Sequence, residues 1–157
     1  MNRILFIILL IVPNLVFGQS WTKTFGGTDD DEGHSVQQTT DGGYIISGTT
    51  FSFGNGSSDV YLIKTDGNGI EQWNYTFGTN YYDIGYSVKQ TNDGGYIITG
   101  RTRSIGNGND DIWLMKTNQN GEEQWSQTFG GVSDDIGRSV KQTNDGGYII
   151  CGYTVSF

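Results

Sequence analysis

The chain has 157 residues and a formal net charge of −8, from 17 acidic and 9 basic side chains. That acidity argues against nucleic acid as a partner, because phosphate contacts need a basic face. Its 25 glycines would suit a disordered tail, but a 13% aromatic share supplies apolar surface for a core, while a single cysteine and a single histidine exclude an intrachain disulfide and a Cys/His zinc site.

In chain order, Met1-Asn2-Arg3 is a short positive segment and Ile4 to Val12 is an unbroken apolar run. Pro13-Asn14 ends that run, and Val16-Phe17-Gly18 places compact residues before Gln19. This is the layout of a secretory signal peptide over residues 1–18, cleaved between Gly18 and Gln19. A membrane anchor is the competing account, and the run is too short to cross roughly 30 Å of hydrocarbon as a helix. No cysteine lies near the cleavage site to carry a lipid, and no later stretch is apolar for long enough to span a membrane. The expectation is an exported protein, extracellular or periplasmic, with no membrane span after signal removal.

Residues 19–157 form a repeat region. Trp21, Trp73 and Trp125 fall into register with a period of 52 residues and no insertion. The copies run 21–72, 73–124 and 125–157, and the first two agree at about 30 of 52 positions. A period of this size marks a solenoid, propeller or array. The second copy shows four strand-like runs and no helical periodicity. Ser87–Thr91 is followed by the turn Asn92-Asp93-Gly94-Gly95, whose Asp and Gly suit a tight hairpin. Tyr96–Gly100 is β-branched and aromatic, Asp111–Lys116 follows the loop Ser104–Asp110, and Glu122–Phe129 follows the turn Asn118–Gly121. Gly48, Gly100 and Gly152 fit places where a strand bends or another backbone comes close. Four antiparallel strands per unit predict an all-β fold of β-propeller blades, each a four-stranded meander.

The run Asp66-Gly67-Asn68-Gly69-Ile70-Glu71-Gln72-Trp73 resembles the tryptophan-docking motif of PQQ-like, quinoprotein-type propellers, one residue shorter. The wider pattern FGG…DGGYII.G…SFGNG..D.YL.KTD.NG…W is similar to the repeats of secreted bacterial β-propeller proteins of the SBBP type. The resemblance covers Trp21 to Phe157. It implies that Trp21, Trp73 and Trp125 each pack against the turn of an adjoining blade. No turn precedes Trp21, and Asn118 replaces the Asp before Trp125. Such repeats occur on proteins of many roles, so the resemblance specifies architecture rather than chemistry.

Residues that recur in every copy are most simply structural. Asp31, Asp83 and Asp135 read as loop-capping acids, and Asp41, Asp93 and Asp145 as turn formers. In a meander the Asp-Gly-Gly and Asn-Gly turns share one end. The long connections Gly26–Gly33, Gly78–Gly85 and Gly130–Gly137 share the other with Thr50–Ser58 and Thr102–Asp110. Variable residues on that long-loop end are the ligand candidates: Asp29, Asp30, Tyr81, Tyr82, Arg101, Arg103 and Arg138. The tyrosines and arginines there could stack on and hydrogen-bond a sugar or a peptide. Ordinary surface diversity is the blander account.

Other chemistries find little in the residues. The runs Asp29–Glu32 and Asn107–Asp111 offer oxygen ligands for calcium but match no twelve-residue calcium loop, and no other cofactor is indicated. Nothing marks a carboxylate pair for glycoside hydrolysis, and no catalytic residue is assigned. His34 and Ser35 are adjacent on a strand and point apart, so they form no nucleophile–base pair. Cys151 aligns with Ser47 and Thr99 and reads as a semi-buried filler. Gly54-Asn55-Gly56 and Gly106-Asn107-Gly108 precede strands, not helices, which removes a phosphate cradle.

Propellers close with about four to eight blades. Two full units and a partial third suggest an incomplete propeller: an N-terminal fragment of a longer chain, or copies that assemble to close a ring. The functional expectation is an exported, non-catalytic binding or scaffold module for extracellular glycan or protein. The alternative is the propeller part of a secreted hydrolase or quinoprotein-like oxidoreductase whose catalytic residues lie beyond Phe157.

Overall fold

The computed structural model describes residues 21–156, so the signal-peptide segment 1–18 lies outside the described residues. Ten strands follow one another: β1 (Asp31–Gln38), β2 (Tyr44–Thr50), β3 (Asp59–Thr65), β4 (Glu71–Phe77), β5 (Asp83–Gln90), β6 (Tyr96–Thr102), β7 (Asp111–Thr117), β8 (Glu123–Phe129), β9 (Asp135–Gln142) and β10 (Tyr148–Thr154). They form two antiparallel four-stranded meanders, β1–β4 and β5–β8, and a hairpin, β9–β10. No helix occurs among the described residues. The described residues form an all-β, incomplete propeller of two full blades and half of a third.

Local chemistry accounts for the meander. In each Asp-Gly-Gly hairpin the second turn residue, Gly42, Gly94 or Gly146, sits at φ near 84°, 83° or 89°, where only glycine is free of strain. Thr39 and Thr91 close the turns by donating their backbone N–H to Gly43 and Gly95. Gly100 is needed for another reason. A Cβ there would collide with the backbone carbonyl of Ile84 on the paired strand, as one at Gly48 would with Glu32.

The first strand of the second blade starts at Asp83 rather than at Ser87. Gly85 interrupts the apolar alternation, so sequence pattern hides the pairing of Asp83, Ile84 and Gly85 with Thr102, Arg101 and Gly100.

Blades stack through their first strands. β1, β5 and β9 lie side by side at the inner edge, and β5 and β9 pack over the second and third strands of the preceding blade. The main core, Ile45, Val60, Leu62, Val88, Tyr96, Ile98, Trp113 and Met115, is therefore shared between blades. All seven residues of β3 are buried, as a sandwiched strand requires. The hydrogen bonds repeat as well. Val88 and Val140 donate their N–H to Ser35 and Ser87 Oγ, at 3.2 and 3.4 Å. Asp83 and Asp135 donate theirs to the carbonyls of Ser58 and Asp110, at 2.9 and 2.6 Å.

Tryptophan docking follows the same order. Trp73, on β4, lies against Gly121 in the turn of the next blade and 5.8 Å from Tyr96. Trp21 lies against Gly69 and 5.8 Å from Tyr44, the equivalent place one blade earlier. Trp125 reaches Tyr148 at 5.8 Å. Thus the residues that open each sequence copy pack at the outer edge of the following sheet.

Candidate functional site

The two ends of the blades differ in kind. At the short-turn end Lys64 and Lys116 are buried, a feature that sequence reading missed. Lys64 Nζ donates to Asp41 at 2.8 Å, to the Thr65 carbonyl at 2.9 Å and to Gln72 at 3.1 Å. Lys116 repeats this with Asp93, Thr117 and Gln124. Hydrogen bonds from Lys64 and Thr39 hold the Asp41 carboxyl down at about 2. Those from Thr91 and Lys116 hold Asp93 at about 2. The visible signal was a lysine recurring in a strand otherwise free of charge at its centre. The buried lysine of this end is answered by the hairpin Asp in both full blades, so the arrangement reads as structural.

At the long-loop end, Asp31, Asp83 and Asp135 do cap loops. Their Oδ2 atoms accept the N–H groups of Gly27, Thr79 and Gly131 at 2.8, 3.1 and 2.8 Å, and the hydroxyls of Ser52, Ser104 and Ser156. The loops 54–56 and 106–108 close on the chain's own acids. Asn55 N–H donates to Asp59 at 2.6 Å and Asn107 N–H to Asp111 at 2.7 Å.

Of the seven ligand candidates the structure brings four together. Tyr81 and Tyr82 are exposed in the loop before β5. Arg103 lies 6.0 Å over the Tyr82 ring, and both Arg101 and Arg103 donate to the buried Asp110. Those guanidinium groups are thereby positioned and partly compensated. Asp29 and Asp30 occupy the equivalent loop one blade earlier, with the Asp29 N–H on Ser52 Oγ at 3.0 Å. Arg138 belongs to a different row.

That row is built by β-bulges. The pairing of each first strand slips between Gly33 and Ser35, between Gly85 and Ser87, and between Gly137 and Ser139. A bulge leaves one residue unpaired and re-aims its side chain. The unpaired residues are His34, Tyr86 and Arg138, and they stack across three blades. The His34 and Tyr86 ring centroids are 5.2 Å apart, and the Arg138 guanidinium sits 4.3 Å over Tyr86. His34 Nε2 also lies 3.2 Å from Thr49 Oγ1 and 3.8 Å from Glu32. Ser35 faces away to the next blade, so His34 and Ser35 form no pair. The copies differ at this position, His34 against Tyr86 against Arg138, but only Arg138 entered the sequence-based candidates. The signal was the frame Gly-x-Ser, constant in every copy with a different x.

Cations without a carboxylate partner lie along this inner edge. Lys89 and Lys141 share the inner strands β5 and β9 with Arg138. Among the described residues none of the three forms an ion pair with a carboxylate, whereas Lys64, Lys116, Arg101 and Arg103 all do. An acidic chain thus keeps uncompensated cations on its innermost strands.

No protein-family model matches the chain, and no curated protein matches it. The functional reading therefore stands on geometry.

Cys151, read from sequence as a semi-buried filler, is exposed, because no described strand or blade covers β10. Between blades, Asp59 faces Asp83 and Asp111 faces Asp135. Burial, helped by the charge of Asp83 and opposed by the Asn55 N–H, pushes the Asp59 carboxyl up to about 6. Burial also raises Asp111.

Proposed function

We propose that this chain is an exported, SBBP-type β-propeller repeat module that binds an extracellular glycan or protein without chemical turnover. The bulge row His34–Tyr86–Arg138, flanked by the Tyr81-Tyr82 loop with Arg103, forms its ligand face. One observation carries this reading. The scaffold around each bulge repeats from blade to blade, while the residue that it displays changes from His to Tyr to Arg. A fixed frame that presents different side chains in one contiguous row is what a recognition surface needs. Export rests on the pattern of residues 1–18, and ring completion rests on further blades, from this chain or from associated copies.

The test is direct. The purified chain is screened against immobilised glycans and surface proteins, and a hit is re-measured with Arg138→Ala and Tyr86→Ala. The expected result is at least tenfold weaker binding for each, with the strand signal in circular dichroism retained. Turnover of a polysaccharide, or quinone-dependent dye reduction, would favour an enzyme instead. Binding indifferent to both substitutions would move the site elsewhere. N-terminal sequencing of exported protein should begin at Gln19.

A further inference from the structure

Each blade junction brings together two buried acids from different blades. Asp59 opens β3 of the first blade, and Asp83 opens β5 of the second. A Cβ at Gly78 would collide with Asp59 Oδ1 and crowd Asp83 Oδ2, so the two carboxylates lie next to each other beside Gly78. Gly130 stands in the same relation to Asp111 and Asp135 at the second junction. Asp59 is 2% exposed and Asp83 is fully buried.

The remaining contacts leave oxygens unused. Asp59 Oδ2 takes the Asn55 N–H, and Asp83 Oδ2 takes the Thr79 N–H and the Ser104 hydroxyl. Asp59 Oδ1 and Asp83 Oδ1 have no hydrogen-bond partner, and the same holds for Asp135 Oδ1. Among the described residues no lysine, arginine or histidine forms an ion pair with any of these four acids. Like charges removed from water and facing one another are unfavourable unless a counter-charge joins them.

We propose that each junction binds one hard divalent cation of the calcium class, between Asp59 and Asp83 at the first and between Asp111 and Asp135 at the second. Carboxylate oxygens are the donors such a cation prefers, and loop carbonyls or waters complete its shell. Two carboxylates and one divalent ion leave the junction neutral, so the cation clamps neighbouring blades. The site draws one acid from each of two blades; of the consecutive runs Asp29–Glu32 and Asn107–Asp111, only Asp111 takes part. It is independent of the ligand face.

The experiment uses the full chain in chelator, with calcium and then terbium titrated in. Trp113 and Asp83 line one cleft of about 300 Å³, so terbium at the first junction should be excited through tryptophan. Calcium should raise the thermal midpoint by several degrees and displace the terbium emission. Asp59→Asn should halve the terbium stoichiometry, and adding Asp111→Asn should abolish binding. Asp30→Asn should change nothing. Asp59→Asn relieves the repulsion and keeps the shape, and Asp111→Asn alone tests the second junction if the first variant misfolds. A midpoint insensitive to calcium, an unchanged stoichiometry in both Asn variants, or loss of binding in Asp30→Asn would overturn the proposal.

Discussion

Lys64 shows how a single residue can be buried with its charge intact. Its ammonium has three donors, and the Asp41 carboxylate, the Thr65 carbonyl and Gln72 accept one each. Asp41 itself is largely exposed, so the pair is worth less than a fully buried one. Lys64→Met keeps the aliphatic stem and should cost about 1–2 kcal/mol in urea unfolding. The same change should let the Asp41 carboxyl titrate closer to 3.8 in an NMR titration, because its first stabilising partner is gone. An unmoved Asp41 would mean that Thr39 alone sets its acidity.

Asp59 works in the opposite sense. Its carboxyl titrates near 6 in the folded chain against 3.8 ordinarily, so between those values the folded state holds more protons. In chelator, stability should therefore fall as pH rises from about 4 to about 6, by about 2 kcal/mol. Asp41 and Asp93, held at about 2, contribute stability above the ordinary carboxylate range that is lost as pH falls toward 2. The two limbs place the optimum near pH 4 to 5. Urea midpoints measured from pH 3 to 8 check this, and Asp59→Asn should flatten the upper limb. Stability that rises between pH 4 and 6 would contradict it.

At the scale of elements, the outer edge of each blade is pinned by the tryptophan of the neighbouring strand. Trp73 is half-buried between Gly121, Tyr75 and Tyr96, whereas Trp125 meets Tyr148 and is otherwise more exposed. Trp73→Ala should cost about 3 kcal/mol and Trp125→Ala no more than about half of that. Equal losses in urea midpoint would show that docking on the turn contributes nothing beyond ring contact. Bulges are the second device at this scale. Each bulge removes one residue from the ladder and turns it out, and it allows Gly85 and Gly100 to pair where a side chain would collide.

At the scale of the molecule, one residue type reports position in the stack. Val88 and Val140 are 0% and 1% exposed, but the equivalent Val36 is 62% exposed because no described blade precedes it. Ile149 is 61% exposed where Ile45 and Ile97 are fully buried. Burial rather than residue type sets the energetic role, at about 25 cal/mol per Å² of apolar surface. Val88→Ser should cost about 2 kcal/mol or more, while Val36→Ser should stay within about 0.5 kcal/mol. If both destabilise the chain alike, a partner blade already covers the first face in solution.

The amino-acid sequence alone determined the period, the strand and turn chemistry, and hence the all-β propeller blades. Those features depend on neighbours along the chain: Asp-Gly-Gly at the hairpins, β-branched runs between them, and identity recurring at one spacing. It also marked Asp31, Asp83 and Asp135 as caps, because their partners lie four residues away. The tertiary structure decided the rest. That Tyr86 sits between His34 and Arg138, that Arg101 and Arg103 converge on Asp110, and that Asp59 meets Asp83 are consequences of bulges, folded-back loops and blade packing. Pattern along a chain records which face a residue belongs to. Only the packing of one sheet on the next sets which charges are left facing each other without water.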